Sequence, residues 1–373
     1  MKILVVNGGS SSFKFSLFET PCSLGFNAEP IWKKTVEFKN TGDDRKAAIK
    51  EALLEVPQDI DLIGHRIVHG GNLFHKPTLI TSDVKAALQK LSRLAPLHNP
   101  INLEGIDIAE SLFPKAKQIG IFDTAFHATM PEVAWTYPGP WEWRDQGIRR
   151  YGFHGISHQY CTEKVQDLLK STPKKLISCH LGNGSSCAAV LNGKVIDTTM
   201  GFTPMEGLMM GTRSGTVDPG ILIYLLREKK YTAHEVDHCL NNESGLLGIG
   251  GSFDMREIIA RIKKEDPRAK LAFDIYVYRL KQAIGALTAS MDGLDTLCFT
   301  GGIGENSADT RQETTDGLNY FGIKIDHNKN LNVNQDAEIS SSDSKIKVFV
   351  IHDREDWLIA KECLNLNEYE GKR

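Results

Sequence analysis

Residues 3–18 read ILVVNGGSSSFKFSLF, and residues 176–191 read LISCHLGNGSSCAAVL. In both segments an apolar run enters a short Gly/Ser-rich loop and a second apolar run leaves it, which predicts two strands joined by a polar turn. Because the same unit occurs in both halves of the chain, the sequence predicts two similar domains. The alternative is that two Gly/Ser-rich hairpin turns share their composition by coincidence.

Elsewhere, short apolar runs alternate with helical patterns, which is typical of an α/β fold. The predicted strands are Ile3–Val6, Lys14–Phe18, Leu62–His69, Gln118–Phe122, Leu176–His180, Cys187–Leu191, Leu297–Thr300 and Ile346–Ile351. One helix is predicted after an N-cap at Ser82, because apolar residues follow it at helical spacing. A longer helix is predicted from Pro267 toward Met291, and its apolar face should contain Leu271, Ile275 and Tyr278.

Composition excludes several classes of protein. The 373 residues are 41% hydrophobic and carry a net charge of −3, so neither nucleic acid nor an anionic membrane is an expected partner. No apolar run reaches the roughly 20 residues of a membrane helix, and the N-terminal run is too short for a signal peptide. The seven cysteines are scattered without a CxxC pair, which favours reduced thiols. These features predict a soluble cytoplasmic protein with two packed domains.

Three Gly-rich loops follow predicted strands: Asn7–Lys14 (NGGSSSFK), His180–Ser186 (HLGNGSS) and Phe299–Asn306 (FTGGIGEN). Glycine lets the backbone approach a ligand closely, and exposed amides and hydroxyls donate to phosphate oxygens. No loop matches the Walker A or GxGxxG pattern, so each alone is equally consistent with an ordinary turn. Together they predict a phosphate-containing or nucleotide ligand.

Isolated charged residues are candidates for chemistry. Arg66 and Arg213 are flanked by glycines, which suits bidentate capture of a carboxylate or phosphate, although ordinary ion pairs would explain them too. Asp123 ends an apolar strand, where it could contact a ligand or cap a helix. Glu355 and Asp356 follow the last strand and could hold Mg²⁺ or begin a helix.

Two histidine pairs, His65/His69 and His154/His158, have the i, i+4 spacing of some zinc sites. The glutamate of HExxH is absent from both. The first pair falls on a predicted strand, where i and i+4 lie about 13 Å apart. Hydrogen bonding or transition-state stabilisation is therefore the favoured role, and a metallohydrolase is the less favoured alternative.

The chain resembles the acetokinase family over nearly its whole length. The matching stretches are 6–14 (VNGGSSSFK), 64–71 (GHRIVHGG), 95–100 (APLHNP), 122–127 (FDTAFH), 149–158 (RRYGFHGISH), 180–185 (HLGNGS), 197–219, 243–248 (ESGLLG), 254–256 (DMR) and 300–306 (TGGIGEN). The resemblance implies reversible phosphoryl transfer between ATP and acetate, with propionate or butyrate as the alternative substrate.

The family resemblance also implies the fold and the partners. The fold would be the two-domain one shared by actin, hexokinase and Hsp70-type ATPases, which matches the internal repeat. An N-terminal domain on the acyl-substrate side would comprise residues 1–150 and 357–373, and a nucleotide-binding domain residues 151–356. ATP or ADP would be a substrate, Mg²⁺ the cofactor with Mn²⁺ as a substitute, and the enzyme a homodimer. An Hsp70-like binding module is disfavoured because no peptide-binding region is appended.

Residue roles carry over by motif. Four residues would lie near the phosphates and magnesium: Asn7, Ser10, Ser12 and Lys14. Five would act on the reacting groups. Arg66 and Arg213 would hold the carboxylate and the phosphoryl group, and Asp123 and Glu355 would serve magnesium and substrate orientation. His154 would stabilise the transition state. Residues expected to contact ATP are His180, Asn183, Gly184, Asp254, Arg256, Gly302, Gly304 and Asn306. The acyl pocket would be walled by Val68, Leu97, Phe153 and Pro204.

Three positions depart from the usual family pattern. Gly8 replaces a more usual Ala or Cys, Ile156 stands where Thr is common, and Thr216 stands where the segment usually reads Gly-Asp. None is a proposed catalytic residue. The expected consequence is a local change in loop hydrogen bonding.

Overall fold

The computed structural model describes residues 1–9, 12–38, 42–96 and 98–371. Ser10 and Leu97, two of the predicted site residues, lie outside the described residues. The chain forms two compact units. Unit 1 comprises Met1–Ala128, Gly155–Tyr160 and Arg354–Arg373, and unit 2 comprises Thr129–His154 and Cys161–Asp353. The domain boundaries implied by the family resemblance remain a prediction.

The elements of the described residues alternate between strand and helix. The strands are β1 (Lys2–Gly8), β2 (Ser12–Glu19), β3 (Trp32–Glu37), β4 (Leu62–Ile67), β5 (Thr78–Leu79), β6 (Lys117–Phe122), β7 (Lys175–Leu181), β8 (Ser185–Leu191), β9 (Lys194–Thr198), β10 (Thr296–Thr300), β11 (Ala337–Glu338) and β12 (Lys347–Val350). The helices are α1 (Gly42–Leu54), α2 (Ser82–Leu91), α3 (Asn99–Leu112), α4 (Glu132–Trp135), α5 (Glu142–Asp145), α6 (Gly155–Leu169), α7 (Pro219–Arg227), α8 (Ala233–Asn242), α9 (Gly245–Gly250), α10 (Met255–Ile262), α11 (Pro267–Ser290), α12 (Gly301–Asn306), α13 (Ala308–Asp316), α14 (His327–Asn332) and α15 (Glu355–Gly371). Short 3₁₀ helices cover Phe126–Thr129 and Asn319–Phe321.

The sheet of unit 1 has the strand order β3-β2-β1-β4-β6-β5. Strands β1, β4 and β6 are parallel to one another, while β2 runs antiparallel to β1. Leu4, Val6 and Ile63 on one face pack with residues of α1 and α3. Gly64 faces the other way, where a Cβ would lie 2.6 Å from atoms of Ile359 and of Cys363 in α15. Glycine at this position therefore lets α15 approach the sheet closely.

The sheet of unit 2 has the order β11-β12-β10-β7-β8-β9. Here β7, β10 and β12 are parallel, and β8 runs antiparallel to β7. Read in reverse, this order repeats the topology of unit 1 strand by strand. The antiparallel edge strand β11 of unit 2 takes the place of β5 in unit 1. The two similar domains that the sequence repeat predicted are therefore confirmed. The core of unit 2 lies between this sheet and α11, where Ile177 and Phe299 contact Leu280 and its neighbours.

Two details of the helix predictions were wrong. The N-cap of α2 is Thr81, whose side chain accepts a hydrogen bond from the amide of Val84, and not Ser82. In α11 the predicted apolar face is wrong for two of its three residues: Leu271 and Tyr278 are 53% and 58% exposed, while Ile275 is half-buried and packs against the core. The helix instead buries the side that includes Phe273, because small and aromatic residues there pack against neighbouring elements.

None of the described helices combines the length and apolarity that crossing a membrane would require. The longest, α11, has 24 residues and contains several charged side chains.

Candidate active site

Four polar side chains meet at the strand ends of unit 1. Arg66 on β4 holds the carboxylate of Asp123, which follows β6, with Nη2 2.5 Å from Oδ2 and Nε 3.2 Å from Oδ1. Its Nη1 lies 3.4 Å from Asn7 Oδ1 at the end of β1. The amide of Asn7 donates in turn to Glu355 Oε2, at 2.8 Å. The structure thus brings together four of the predicted residues.

Opposing influences act on the charge of Asp123 in this cluster. Asp123 is only 1% exposed, and its burial raises its pKa to about 6. The neighbouring charge of Glu355 acts in the same direction, while Arg66 opposes it. A divalent cation beside these groups would favour their ionised forms, since an opposite charge lowers the pKa of a carboxyl.

The donors of this cluster fit Mg²⁺. Asn7, Asp123 and Glu355 offer amide and carboxylate oxygens, which are the ligands Mg²⁺ prefers. The described residues contain no ready-made group of three or more His, Cys, Asp or Glu side chains for a metal. Mg²⁺ commonly keeps water and phosphate oxygens in place of such a cage, so a sparse set of this kind suits it. Asp356 is occupied otherwise, by Arg354 and Ser16.

Two asparagines of α3 position the segment after β4, and sequence reasoning missed both. Asn102 Oδ1 accepts from the amide of Val68 at 3.2 Å, and its Nδ2 donates to the carbonyl of Gly8 at 3.0 Å. Asn99 makes the corresponding two bonds to the backbone of His69. The sequence signal that could have identified these two residues is the Asn-x-x-Asn spacing on a helix face that is otherwise apolar and buried.

The first Gly-rich loop follows β1. Lys14 on β2 stands opposite Asn7 in the antiparallel ladder, so the two side chains share one face of the sheet. Lys14 is exposed, and Ser12 is half-buried. Gly8 has no room for a side chain, because a Cβ would lie 2.8 Å from the ring of Phe13 and 3.0 Å from Asn102 Nδ2. This packing accounts for glycine at a position where the family commonly has a larger residue.

In unit 2, a second cluster surrounds Gly184. A Cβ built on Gly184 would lie 3.2 Å from His154 Nε2 and 3.4 Å from Arg213 Nη1. His154 Nδ1 is 2.9 Å from Ser186 Oγ, and its ring lies 4.3 Å from that of His180. His154 also has a φ of 57°, a left-handed conformation that costs a non-glycine residue roughly 1–3 kcal/mol and is concentrated at functional sites.

Arg213 contacts the proposed acyl wall. Its Nη1 donates to the carbonyl of Pro204 at 3.2 Å, and removal of its guanidinium from water lowers its pKa from the ordinary value. Phe153, the residue before His154, is buried. In unit 1, Val68 is likewise buried and lies just beyond the end of β4.

The other two glycine-rich loops are neighbours in unit 2. Gly302, Gly304 and Asn306 lie in α12, directly after β10, which pairs with β7. A Cβ on Gly182 would be 4.0 Å from the amide nitrogen of Gly302. Glu305 Oε1 accepts from the amide of Gly301 at 3.0 Å, and this bond fixes the turn into α12.

Asn183 and the pair Asp254/Arg256 were also predicted to contact ATP. The carbonyl of Asn183 accepts from the amide of Gly211 at 3.0 Å, within the loop that contains Gly184. Asp254 caps α10 and pairs with Arg256, whose side chain is 89% exposed. Among the described residues, neither side chain of that pair has a hydrogen bond to residues 182–184 or 301–306.

The remaining predicted histidine pair has a structural role. His65 Nε2 is 2.7 Å from Gln118 Oε1, and His69 Nδ1 accepts from the amide of Gly71 at 2.9 Å. Burial lowers the pKa of both histidines to about 4, so they are neutral at pH 7. This arrangement gives no support to the metallohydrolase alternative.

The Acetokinase family model matches residues 2–361 of this sequence. The chain belongs to the acetokinase family. The acetate kinase of Protochlamydia amoebophila is 52% identical over 97% of this chain and 98% of its own length. The acetate kinase of Gloeobacter violaceus is 47% identical over 97% and 98% of the two chains.

Solved structures agree with this family assignment. The acetate kinase of Porphyromonas gingivalis matches with a TM-score of 0.87 and 38% identity over 98% of this chain and 99% of that one. A propionate kinase from Francisella tularensis matches with a TM-score of 0.88 and 39% identity over the same shares. A protein of Listeria monocytogenes, at a TM-score of 0.53 and 16% identity, shares the fold alone. The predicted actin/hexokinase/Hsp70-like fold and the predicted class, an ATP-dependent carboxylate kinase of the acetokinase family, are confirmed.

Proposed function

We propose that the chain catalyses reversible transfer of the γ-phosphoryl group of ATP to acetate, giving acetyl phosphate and ADP. The observation that carries the proposal is the pair of nitrogen atoms, His154 Nε2 and Arg213 Nη1, that lie beside Gly184, where no side chain intervenes. An imidazole and a guanidinium there can both donate to the oxygens of a transferring phosphoryl group. The relatives from Protochlamydia amoebophila and Gloeobacter violaceus, which match this chain over nearly its whole length, are acetate kinases, and this supports acetate as the acceptor.

Carboxylate chemistry explains why the candidate site needs no general base. A short carboxylic acid has a pKa near that of a side-chain carboxyl, about 4, so the acceptor is already an anion at pH 7. The difficulty is to bring this anion to the negatively charged γ-phosphate in line with the leaving oxygen. Cationic groups that neutralise and align the reactants therefore supply most of the catalysis.

In unit 1, Arg66 is the proposed clamp for the acceptor carboxylate. Its bidentate contact with Asp123 fixes the plane of the guanidinium, which leaves little rotational freedom to lose when a substrate binds. Asn7 and Glu355 would hold Mg²⁺, and Asp123 would orient the groups around it. When bound, Mg²⁺ neutralises phosphate charge, and Mn²⁺, which accepts similar oxygen donors, should substitute.

Nucleotide binding is proposed for the glycine-rich loops and their side chains. Backbone amides in such loops donate to phosphate oxygens where a side chain would prevent close approach. The proposed ATP contacts are Ser10, Ser12, Lys14, His180, Asn183, Gly184, Asp254, Arg256, Gly302, Gly304 and Asn306. The pairing of Asp254 with Arg256 makes those two the least directly supported of the set.

Propionate is the second candidate acceptor, because a propionate kinase matches this structure as well as an acetate kinase does. Acetate is favoured by Val68, the residue of unit 1 that is proposed to contact the acyl group. Val68 is buried and β-branched, so it cannot easily rotate to admit a longer chain.

The function is tested by incubating the protein with ATP, Mg²⁺ and acetate, propionate or butyrate in the presence of hydroxylamine, which converts acyl phosphates to hydroxamates. We expect acetohydroxamate to form fastest, with one ADP released per hydroxamate. Omission of the carboxylate is the control for ATP hydrolysis. ADP release that is independent of any carboxylate would contradict the proposal.

We further propose that the enzyme is a homodimer. In helix α7 (Pro219–Arg227) no residue is buried, although its sequence is largely apolar. Ile221, Ile223 and Tyr224 are 47%, 51% and 50% exposed. Exposed apolar surface of this kind is typical of an interface between subunits. Light scattering should give twice the mass of 41.4 kDa, and Ile223→Asp should shift the protein toward the monomer mass. A monomeric wild-type protein would contradict this.

A cytoplasmic location is also proposed. The support is chemical, since all seven cysteines are free and five of them are fully buried, as is common where thiols stay reduced.

A further inference from the structure

Two segments of unit 2 carry the proposed acyl-wall residues of that unit. Phe153 lies in the segment before α6, and Pro204 lies in the irregular stretch between β9 and α7. No strand ladder supports residues 199–206, so other contacts must fix their shape. Those contacts come from a compact cluster of Arg150, Glu206 and Tyr137, none of which has been assigned a role in binding or catalysis.

Arg150 lies in the first segment, and its guanidinium binds the second segment at both ends. Its Nη1 donates to three successive carbonyls, those of Thr198, Thr199 and Met200, at 3.0, 3.1 and 3.1 Å. Its Nη2 lies 2.7 Å from Glu206 Oε1. The chain between residues 198 and 206 is therefore wrapped around a single planar cation, whose fixed geometry favours one arrangement of its acceptors.

Tyr137 completes the cluster on the other carboxylate oxygen. Its hydroxyl donates to Glu206 Oε2 and accepts from the amide of Phe202, the latter at 2.9 Å. Burial and the nearby carboxylate both raise the pKa of Tyr137, so the hydroxyl keeps its proton at neutral pH and remains a donor. Glu206 thus has a donor on each of its oxygens.

The backbone ties the same two segments together beside this cluster. The amides of Tyr151 and Gly152 both donate to the carbonyl of Gly201, at 3.0 and 3.3 Å. A side chain at Gly201 would overlap the carboxylate of Glu206 and the hydroxyl of Tyr137. Glycine at this position is therefore what allows the cluster to close.

The cluster lies within a few residues of both wall positions. Arg150 is three residues before Phe153, and Glu206 is two residues after Pro204. The carbonyl of Pro204 also accepts from Arg213 Nη1. A change in the Arg150–Glu206 contact would therefore shift the segments that carry the two walls, and none of the hydrogen-bond partners of the cluster given above is a residue proposed to bind ATP.

We propose that Arg150, Glu206 and Tyr137 form a brace that sets the separation of Phe153 and Pro204 and thereby decides which acyl chain length the enzyme accepts. The three are positioning residues, and the inference rests on the proposed function. One methylene is worth about 10- to 200-fold in specificity when a pocket wall is rigid, and less when the wall can yield. Loosening the brace should therefore relax discrimination against longer acids.

The test compares Glu206→Gln, Tyr137→Phe and the control Glu132→Gln. Glu132 also pairs with an arginine of unit 2, Arg144, but that pair is more exposed, and neither of its side chains makes a hydrogen bond or ion pair with residues 198–206. For each protein, kcat/KM is measured with acetate, propionate and butyrate, together with the KM for ATP and the melting temperature. The wild-type ratio of acetate to propionate is the reference.

We expect Glu206→Gln to lower the acetate-to-propionate ratio by about tenfold, and Tyr137→Phe by about threefold, with the KM for ATP changed less than twofold. Glu132→Gln should leave the ratio unchanged. If Glu206→Gln does not fold, Tyr137→Phe decides, because it removes a single hydroxyl.

The inference is overturned if the variants lose activity toward all three acids by the same factor, which is what a merely structural role would produce. It is also overturned if the ratio stays at the wild-type value, or if Glu132→Gln shifts it equally. A wild-type protein that forms no acetyl phosphate would instead refute the proposed function, so the two failures are distinguishable.

Discussion

The two sheets have the same strand order and the same directions, yet their strand ends carry different chemistry. In unit 1 the parallel strands β4 and β6 end in charged residues, Arg66 and Asp123. In unit 2 the counterpart of β4 is β10, which leads into Gly301 and Gly302. Ligands of open α/β sheets bind at the carboxyl ends of the strands. The topology therefore fixes where the functional groups stand, and the residues at these ends decide whether a copy supplies charge or backbone amides.

The hairpin loops make the same contrast at smaller scale. Three residues separate β1 from β2, and three separate β7 from β8. The first loop leads to Lys14, opposite Asn7. The second contains Gly184, beside His154 and Arg213. Substitutions in the two units should therefore impair the enzyme in different ways. Four predictions test that difference, from the largest expected effect to the smallest.

Removal of either arginine clamp should have the largest effect. Arg66→Ala and Arg213→Ala should each lower kcat/KM for acetate by about 100-fold or more, because each removes a charge that acts mainly on the transition state. Steady-state kinetics and a melting curve of each variant are the measurements. Arg45→Ala, which breaks an ion pair with Glu104 elsewhere in unit 1, is the control and should stay near wild-type activity. Wild-type turnover in either clamp variant would remove that residue from the mechanism.

Gly184→Ala tests the claim that unit 2 needs open space in its loop. The added methyl would crowd His154 Nε2 and Arg213 Nη1, so both groups must shift by a few tenths of an ångström. Since a displacement of 1 Å can cost about 100-fold, we expect roughly a 30-fold loss in kcat. Gly285→Ala is the matched control, because its nearest neighbour would be 3.7 Å away on the surface of α11. Equal activity in the two variants would contradict the assignment.

Val68→Ala tests the acyl wall of unit 1. Loss of the β-branched side chain should raise kcat/KM for propionate relative to acetate by about tenfold, with the KM for ATP little changed. Val190→Ala, at a buried position of β8 in unit 2, controls for the general cost of a core cavity and should leave the ratio unaltered. If Val68→Ala also leaves the ratio unaltered, Val68 does not line the pocket.

Asp123→Asn should have the smallest of the four effects, a change in the melting temperature of the metal-free protein. Whether the variant melts higher or lower than wild type is informative. The pKa of Asp123 is raised from 3.8 to about 6, so the folded state holds this proton more tightly than the unfolded state does. The associated stability is present below pH 4 and is lost as pH rises through 6. Asparagine resembles the protonated form and should therefore melt a few degrees higher than wild type at pH 7 in the presence of a chelator.

Calorimetry between pH 4 and pH 7 checks this expectation. The difference in melting temperature should shrink toward zero as the pH approaches 4. In separate kinetic assays the variant should need more Mg²⁺ to reach half of its residual rate, because Asp123 is proposed to orient the groups around the ion. A variant that melts lower than wild type at pH 7 would show that the ion pair with Arg66 outweighs burial.

Sequence patterns predicted the strands and loops well, because both are encoded locally. Alternation between apolar runs and Gly/Ser turns located the repeated hairpins, and family motifs identified Arg66, Asp123 and Glu355, which the structure brings together. The apolar face of α11 was mistaken, since Leu271 and Tyr278 obey helical spacing but lie on the exposed side. Which face of an apolar helix is buried depends on neighbours that periodicity does not reveal.

Two sets of supporting contacts could not be predicted from local pattern at all. Asn102 joins Gly8 to Val68, and Glu206 joins Arg150 to Tyr137, across long stretches of sequence. Such residues look like ordinary polar positions until the fold brings their partners together. The partners of Asn102 are backbone atoms, which carry no residue-specific signal, and those of Glu206 are side chains more than 50 residues away.

The most direct test of the account follows the oxygen that attacks phosphorus. Acetate labelled with oxygen-18 in both carboxylate positions is incubated with the enzyme, ATP and Mg²⁺, and the acetyl phosphate is examined by phosphorus NMR. Because an ionised carboxylate attacks the γ-phosphorus directly, one labelled oxygen should bridge carbon and phosphorus in every product molecule and give an isotope shift. A phosphorus signal without that shift, or ADP formed at the same rate without acetate, would contradict the proposed carboxylate kinase.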